Sequence, residues 1–285
     1  MNKKHLRLLL FTLFLCSLFI LSGCQQNAAV MAQRDAYISY LEEAEDDFAT
    51  VHAMVNDKDL ELGDDKEAEE TSTEVQLQEF QNVLTKVKDY KSKIDERIGL
   101  IGKRDTQKNA ELEAFAKSEL RCLQLSSEVL EEFGQICNYA LAISDVGVQL
   151  DSINSLDFTD MQNLEATYKA FSETIKNAKE GLEKSDTPSF FKSANDDMIE
   201  VLQELQDSTV YNLNAVIIND PVRQDAGAYR FNQLLVRKMS KVLADYDADV
   251  ERRIAKLKED VNQIKKLDSG LTDWIQKNLK ALGAL

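Results

Sequence analysis

The chain has 285 residues, of which only 2 are Pro and 10 are Gly, while 44% are hydrophobic and 29% are charged. So few helix-breaking residues leave long uninterrupted segments, which favour helices over short strands joined by turns. The formal net charge is −16, and there are only 2 His and 4 Cys. This composition excludes a His-rich metal cluster, a Pro-rich repeat and a dense disulfide framework, and its acidic balance argues against binding to nucleic acid.

The first 24 residues have the pattern of a secretory signal. Three basic residues lie within the first seven positions, and residues 8–22 then carry no charge. This apolar run is shorter than the roughly 20 residues that a membrane span needs. It ends in Leu21-Ser22-Gly23-Cys24, which resembles the lipobox of bacterial lipoproteins. Residues 1–23 are therefore predicted to be a signal peptide, with Leu21, Ser22 and Gly23 recognised by the signal peptidase.

The lipobox resemblance implies that Cys24 becomes the N-terminus and carries a diacylglycerol thioether, usually with a third acyl chain such as palmitate. Two chains suffice for stable anchoring, so the first expected partner is a membrane. Gln25 follows the cysteine in place of the Asp that retains lipoproteins in the inner membrane. We expect anchoring outside the cytoplasm, at the outer membrane facing the periplasm if the cell has two membranes. Loss of Lys3, Lys4 and Arg7 with residues 1–23 changes the net charge from −16 to −19.

Three helical patterns are predicted in the first half of the remaining chain. They cover about residues 30–56, 73–102 and 106–150, and an acidic stretch, 57–74, lies between the first two and is predicted to be a solvated loop. The first pattern repeats apolar residues at spacings of 4 and 3, as a coiled-coil or bundle face does. Its members are Tyr37, Leu41, Ala44, Phe48, Val51 and Val55.

Three more patterns and a short tail are predicted after a polar connector at 151–160. A fourth helix carries the most regular seam of the chain, and Pro188 is placed to begin a fifth helix, which ends near Asn219-Asp220-Pro221. A sixth is expected over about 224–267. Ser269-Gly270 is predicted to end it, with a short tail helix at 271–282 that caps the bundle.

The predicted fold is all-α: an elongated antiparallel arrangement of about six long helices plus a short C-terminal helix. Residues 24–150 and 151–285 are expected to form two successive bundles, and a single continuous bundle is the alternative.

Few residues suggest chemistry. His52 is the only histidine after residue 5, so a metal site that needs several histidines cannot form, and we interpret His52 as a residue at the edge of the first seam rather than as a catalytic one. Cys122 and Cys137 are expected to be buried thiols. The acidic stretch 57–74 does not match the EF-hand spacing, which argues against specific calcium binding. We predict no catalytic residue, no cofactor and no metal.

Residues 32–41 read Ala-Gln-Arg-Asp-Ala-Tyr-Ile-Ser-Tyr-Leu. A second segment, with a weaker similarity to the same family, is Tyr229-Arg230-Phe231-Asn232-Gln233-Leu234-Leu235. These segments resemble an uncharacterised family of Gram-negative helical lipoproteins. The resemblance implies an all-α lipoprotein and transfers no catalytic residue.

The sequence thus predicts a non-enzymatic, lipid-anchored lipoprotein of the cell envelope with a structural or protein-interaction role. Its second partner would be an unknown envelope protein, and its oligomeric state is left open. The alternative is a ligand-binding or sensory module, whose pocket between helices would be lined by Tyr139, Tyr168, Phe171, Phe190, Phe191 and Tyr211.

Overall fold

A computed structural model describes residues 30–60, 73–106, 109–151, 156 and 162–284. All regular structure within these ranges is helical, which confirms the predicted all-α class. The seven α-helices are α1 (30–55), α2 (Thr73–Ile101), α3 (Ala110–Asp151), α4 (Leu164–Lys184), α5 (Lys192–Ile217), α6 (Pro221–Gln233) and α7 (Ser240–Ala281). Short 3₁₀ turns lie at Lys58–Leu60 and Ser189–Phe191, and a π-helical segment, Leu234–Met239, joins α6 to α7. No helix in these ranges is long and apolar enough to cross a membrane.

The contacts divide the chain into two compact units. Unit 1 comprises 1–55, 93–125 and 264–285, and unit 2 comprises 56–92 and 126–263. Each unit contains residues from before and after position 150. One part of each of α2, α3 and α7 belongs to unit 1 and the remainder to unit 2. The sequence predicted successive bundles at 24–150 and 151–285, and that division stays a prediction.

The predicted seams form the cores of both units. In α1, Leu41, Ala44, Phe48 and Val51 are at most 2% exposed, as the 4 and 3 spacing predicts. In α4, the buried residues are Leu164, Phe171, Ile175, Ala178 and Leu182.

An aromatic group lies at the centre of unit 1. The ring of Phe115 stacks on Trp274 at 4.5 Å between centroids and meets Tyr40 and Phe48 edge-on at 6.3 and 6.4 Å. Ile275, one residue after the tryptophan, is fully buried. The end of α7 therefore belongs to the core of unit 1.

Unit 2 contains an apolar cluster between α4 and α5, with further buried residues from α3 and the π-helical segment. A second aromatic group lies in the same unit. Tyr139 stacks on Phe191 at 5.1 Å between centroids, and both rings contact Tyr246. The hydroxyl of Tyr139 donates to Asn195 Oδ1 at 3.0 Å, so this buried polar group is satisfied.

The predicted helix end at Ser269-Gly270 is wrong, because α7 continues through it to Ala281. α7 ends instead at Ala281, two residues before Gly283, whose φ of 70° lies in the left-handed region. Gly283 N donates to Lys280 O at 3.1 Å and Ala284 N donates to Leu279 O at 3.0 Å, the paired bonds of a Schellman motif. Residues 271–281 therefore form no separate helix.

The sixth predicted helix differs from the structure in its first residue and in containing a π-helical segment. It begins at Pro221 rather than near 224, and its π-helical segment buries Leu234 and Met239, five residues apart. A π-helix has a wider turn than an α-helix, so residues five apart return to the same side.

Candidate functional site

Unit 1 contains a buried network of charged residues. Asp47 on α1 and Glu119 on α3 have no exposed surface, and the side chain of Arg104 is only 7% exposed. Such residues are almost never buried without partners, because transferring a charge out of water costs several kcal/mol. The network is therefore the candidate functional site within the described residues.

Local structure positions each member. Asp47 and Glu119 occupy core-facing turns of their helices, next to Phe48 and one turn after Phe115. Arg104 follows the end of α2, where Arg104 N donates to Ile101 O at 3.1 Å. Beyond the loop, Asn109 Oδ1 accepts from the backbone N of Glu111 at 2.9 Å and so caps the start of α3. The Arg104 side chain is thus held between two capped helix ends.

The guanidinium of Arg104 bridges the two carboxylates. Nη2 lies 2.5 Å from Asp47 Oδ2 and Nη1 lies 2.8 Å from Glu119 Oε1, while Nε lies 3.0 Å from Glu43 Oε2 at the surface. Asp47 Oδ1 lies 3.3 Å from Arg97 Nη1, at ion-pair distance but without good hydrogen-bond geometry. The two buried negative charges therefore face two positive ones.

Tyr40 completes the network. Its hydroxyl donates to Glu119 Oε2 at 3.0 Å, and its ring lies 5.6 Å from the guanidinium carbon of Arg104, in a cation–π contact. Burial, followed by the charge of Glu119, raises the pKa of Tyr40 above its ordinary value. The phenol therefore remains a hydrogen-bond donor at any physiological pH.

Burial also dominates the ionisation of the carboxylates. It raises the pKa of Glu119 to about 7 from an ordinary 4.5; Arg104 opposes this rise and the charge of Asp47 adds to it. Burial raises the pKa of Asp47 as well, against the effect of Arg104. Glu119 can therefore exchange a proton near neutral pH while its neighbours hold its position.

A cleft of about 580 Å³ opens beside this network, lined by Tyr40, Glu43, Asp46, Arg97, Lys103 and Arg104 among others. Its charged side chains have both signs. The network contains no Ser, Thr, Cys, His or Lys side chain, and the guanidinium of Arg104 is directed at Asp47, Glu119 and Glu43. The network joins three parts of unit 1, namely α1, the segment that follows α2, and α3, through buried ion pairs.

The residues proposed from the sequence fall in several places. Cys24, Leu21, Ser22 and Gly23 lie outside the described residues, as does most of the acidic stretch 57–74. Asp57, at the start of that stretch, accepts from Lys86 Nζ at 3.1 Å and from the hydroxyl of Tyr90 at 3.1 Å. Among the described residues, no group of three or more His, Cys, Asp or Glu could hold a metal ion.

His52 lies on the exposed side of α1, with 71% of its side chain accessible. Its Nδ1 is 3.2 Å from Oδ2 of the buried Asp268 on α7. Cys122 and Cys137 are both buried thiols, as predicted, and burial raises the pKa of each to about 12.

The six aromatic residues of the predicted pocket do not surround one cavity. Phe190 and Phe191 touch each other, and Phe191 packs on Tyr139 with no room for a ligand between the rings. Phe171 is buried in the other apolar cluster of unit 2, and Tyr211 is 41% exposed on α5. Tyr139, Phe171 and Phe191 are therefore core residues, and the ligand-binding alternative stays a prediction.

This network was not predicted from the sequence. A signal was present: Ala44, Asp47 and Val51 follow the seam spacing in α1, as Phe115, Glu119 and Cys122 do in α3. A charged residue at a seam position in two helices predicts a buried partner of opposite sign.

The fold and the network together define an all-α protein with a buried ion cluster in unit 1. No family model matches the chain, and no curated protein or solved structure matches it.

Proposed function

We propose that this protein is a lipid-anchored lipoprotein of the cell envelope with a non-enzymatic, protein-interaction role. The observation that carries the proposal is the segment Leu21-Ser22-Gly23-Cys24 at the end of an uncharged run that follows three basic residues. A diacylglycerol on Cys24 supplies two acyl chains, enough to hold an acidic body at a membrane that would otherwise repel it.

The outer face of α1 supports an interaction role. Residues 35–55 contain no Lys or Arg, and Glu42, Glu45 and Asp46 are exposed within five residues. Asp47, in the same run, is buried with Arg97 and Arg104, so the helix presents its acids to solvent from a fixed backbone. An acidic surface of this kind favours a partner with a basic one, mainly by steering the encounter.

Crosslinking in intact cells followed by mass spectrometry tests the proposal. We expect the tagged wild-type chain to capture an envelope protein with a basic surface, and a Cys24→Ala variant to lose it together with membrane localisation. The double variant Glu42→Lys/Asp46→Lys should also lose the partner.

The matched control is Asp196→Lys/Asp197→Lys, which reverses two exposed acids on α5. It should retain the partner captured by the wild type. Failure to recover any reproducible envelope protein would contradict the interaction role, and so would capture of the same protein by the α1 variant.

A further inference from the structure

The turn between α5 and α6 is a rigidly built corner. Asn219 adopts a φ of 53°, its N donates to Val216 O at 3.0 Å, and Asp220 N donates to Ala215 O at 2.9 Å, which closes α5 with a Schellman motif. Asp220 Oδ1 then accepts from the backbone N of Arg223 at 3.2 Å and caps α6, whose first residue is Pro221. Side chains on this corner are therefore held at fixed positions.

One side of the corner is closely packed. Asn212 and Ala215 on α5 are 2% and 1% exposed, and Gln224 Nε2 donates to Ala215 O at 3.2 Å. Gly227 on α6 approaches Asn212 so closely that an added Cβ would overlap its amide group. The side of each helix that faces away from the other helix is left to solvent.

These outer sides are apolar near the turn. Half of the large hydrophobic side chains that are exposed in the described residues fall within 210–229, and we call these six residues the apolar corner: Val210, Tyr211, Ile217, Ile218, Val222 and Tyr229. At 100° per residue, the four on α5 and its end lie within about 120° of one another, and Val222 and Tyr229 are seven residues apart on one side of α6. Exposure is greatest near the turn: Ile217 is 56% exposed, Ile218 58% and Val222 77%.

The apolar corner is ordered by distance from the turn. Aliphatic side chains occupy the tip, whereas Tyr211 and Tyr229 lie six or seven residues behind it along α5 and α6. At 1.5 Å per residue this places the tyrosines about 10 Å from the tip. Amphipathic segments insert about 5–10 Å into the boundary between headgroups and acyl chains, and tyrosines concentrate at that level.

The charge distribution also favours a lipid surface. Residues 208–219 carry no charge, and the next charged residues, Asp220, Arg223, Asp225 and Arg230, sum to zero in a chain whose net charge is −16. The corner thus avoids the repulsion that anionic headgroups exert on an acidic surface, and its arginines can contact lipid phosphates. A helix turn that projects aliphatic side chains needs no complementary groove when it enters a bilayer.

We infer that the apolar corner inserts into the headgroup and upper acyl region of a phospholipid bilayer, as a second membrane contact beside the lipid on Cys24. The presence of a nearby membrane rests on the proposed function. The insertion rests on the corner's own chemistry.

Vesicle sedimentation with a body that cannot be lipidated tests the inference. The chain without residues 1–23, carrying Cys24→Ser, is mixed with vesicles of phosphatidylethanolamine and phosphatidylglycerol at physiological salt. We expect it to bind, and Ile218→Asn/Val222→Asn to lower the partition coefficient at least tenfold. The control Val148→Asn/Leu243→Asn, which changes two exposed hydrophobic residues elsewhere in unit 2, should bind as the wild type does. Circular dichroism checks that every variant is folded.

A fluorescence measurement reports insertion directly. Ile218→Trp in a Trp274→Phe background leaves one tryptophan at the tip, whose emission should shift to the blue on vesicle binding and be quenched by lipids brominated in the acyl chain. The inference is overturned if the body does not bind, if both asparagine pairs reduce binding equally, or if the emission does not shift. Self-association that Ile218→Asn/Val222→Asn abolishes would instead assign the corner to a second copy. An unmodified Cys24 with a body that still binds vesicles would contradict only the lipoprotein proposal.

Discussion

Replacing Glu119 with Gln should change how the free energy of unfolding depends on pH. Because the folded state raises the pKa of Glu119 from 4.5 to about 7, the folded chain binds more protons at this group than the unfolded chain does between those values. The stability that this protonation contributes is fully present below pH 4.5 and is lost as the pH rises through 7. A glutamine keeps the shape and cannot ionise.

The magnitude follows from the pKa difference. One pKa unit corresponds to 1.36 kcal/mol, so wild type should lose about 3 kcal/mol relative to Glu119→Gln between pH 4.5 and a pH well above 7. This comparison cancels the repulsion among the other carboxylates of an acidic chain, since both proteins carry them. The buried Asp47 couples to the same titration, which can spread the change over a wider pH range.

Urea unfolding followed by circular dichroism at pH 5.5 and pH 8.5 measures about 2 kcal/mol of this difference, because the unfolded carboxyl is already mostly ionised at pH 5.5. We expect Glu119→Gln to gain stability relative to wild type as the pH rises. The control Glu131→Gln changes an exposed carboxylate on the same helix and should keep a nearly constant offset. If Glu119→Gln and wild type differ by the same amount at both pH values, the burial of an ionisable Glu119 is refuted.

Four further outcomes are expected. Arg104→Met should lower the free energy of unfolding by about 3–5 kcal/mol in urea titrations, because it leaves buried carboxylates unpaired; a loss below about 1 kcal/mol would argue against the network. Cys122 and Cys137 should resist alkylation at pH 8 until the chain is denatured, as buried thiols do, and labelling of the native chain would contradict their burial. Gly270→Ala should raise the melting temperature, because an added Cβ meets nothing within 4 Å and alanine stabilises a helix interior by about 0.5–1 kcal/mol; a decrease would restore a helix end at this position. Trp274→Ala should lower the free energy of unfolding by about 2–4 kcal/mol and Trp274→Phe by much less, since only the latter retains a ring stacked on Phe115; equal losses would exclude the stack.

The apolar seams could be predicted because their spacing and burial share one cause. A helix returns to the same side every three or four residues, so Leu41, Phe48 and Val51 had to face a common neighbour. The turn at Asn219-Asp220-Pro221 was predictable in the same way, because proline and an aspartate cap favour a helix start.

The helix end at 269–270 was mispredicted because glycine alone does not stop a helix. Gly270 remains helical within α7, and the Schellman bonds form only where Gly283 adopts a positive φ. The π-helical segment had no readable signal in the sequence, since it continues the apolar pattern of the sixth predicted helix.

The buried network was missed for a different reason. Composition and charge runs describe Asp47 as one acid among many, whereas its role depends on Arg104, which is distant in sequence and lies in a loop. Pairing across 57 residues is a tertiary property that periodicity within one helix does not contain.

Mass spectrometry of the protein purified from bacterial membranes tests the lipid anchor most directly. We expect an N-terminal peptide that begins at Cys24 and carries a diacylglycerol, with or without a third acyl chain. The Cys24→Ala protein should be neither cleaved after Gly23 nor acylated. An unmodified Cys24, an intact segment 1–23 or cleavage at another residue would contradict the lipid anchor.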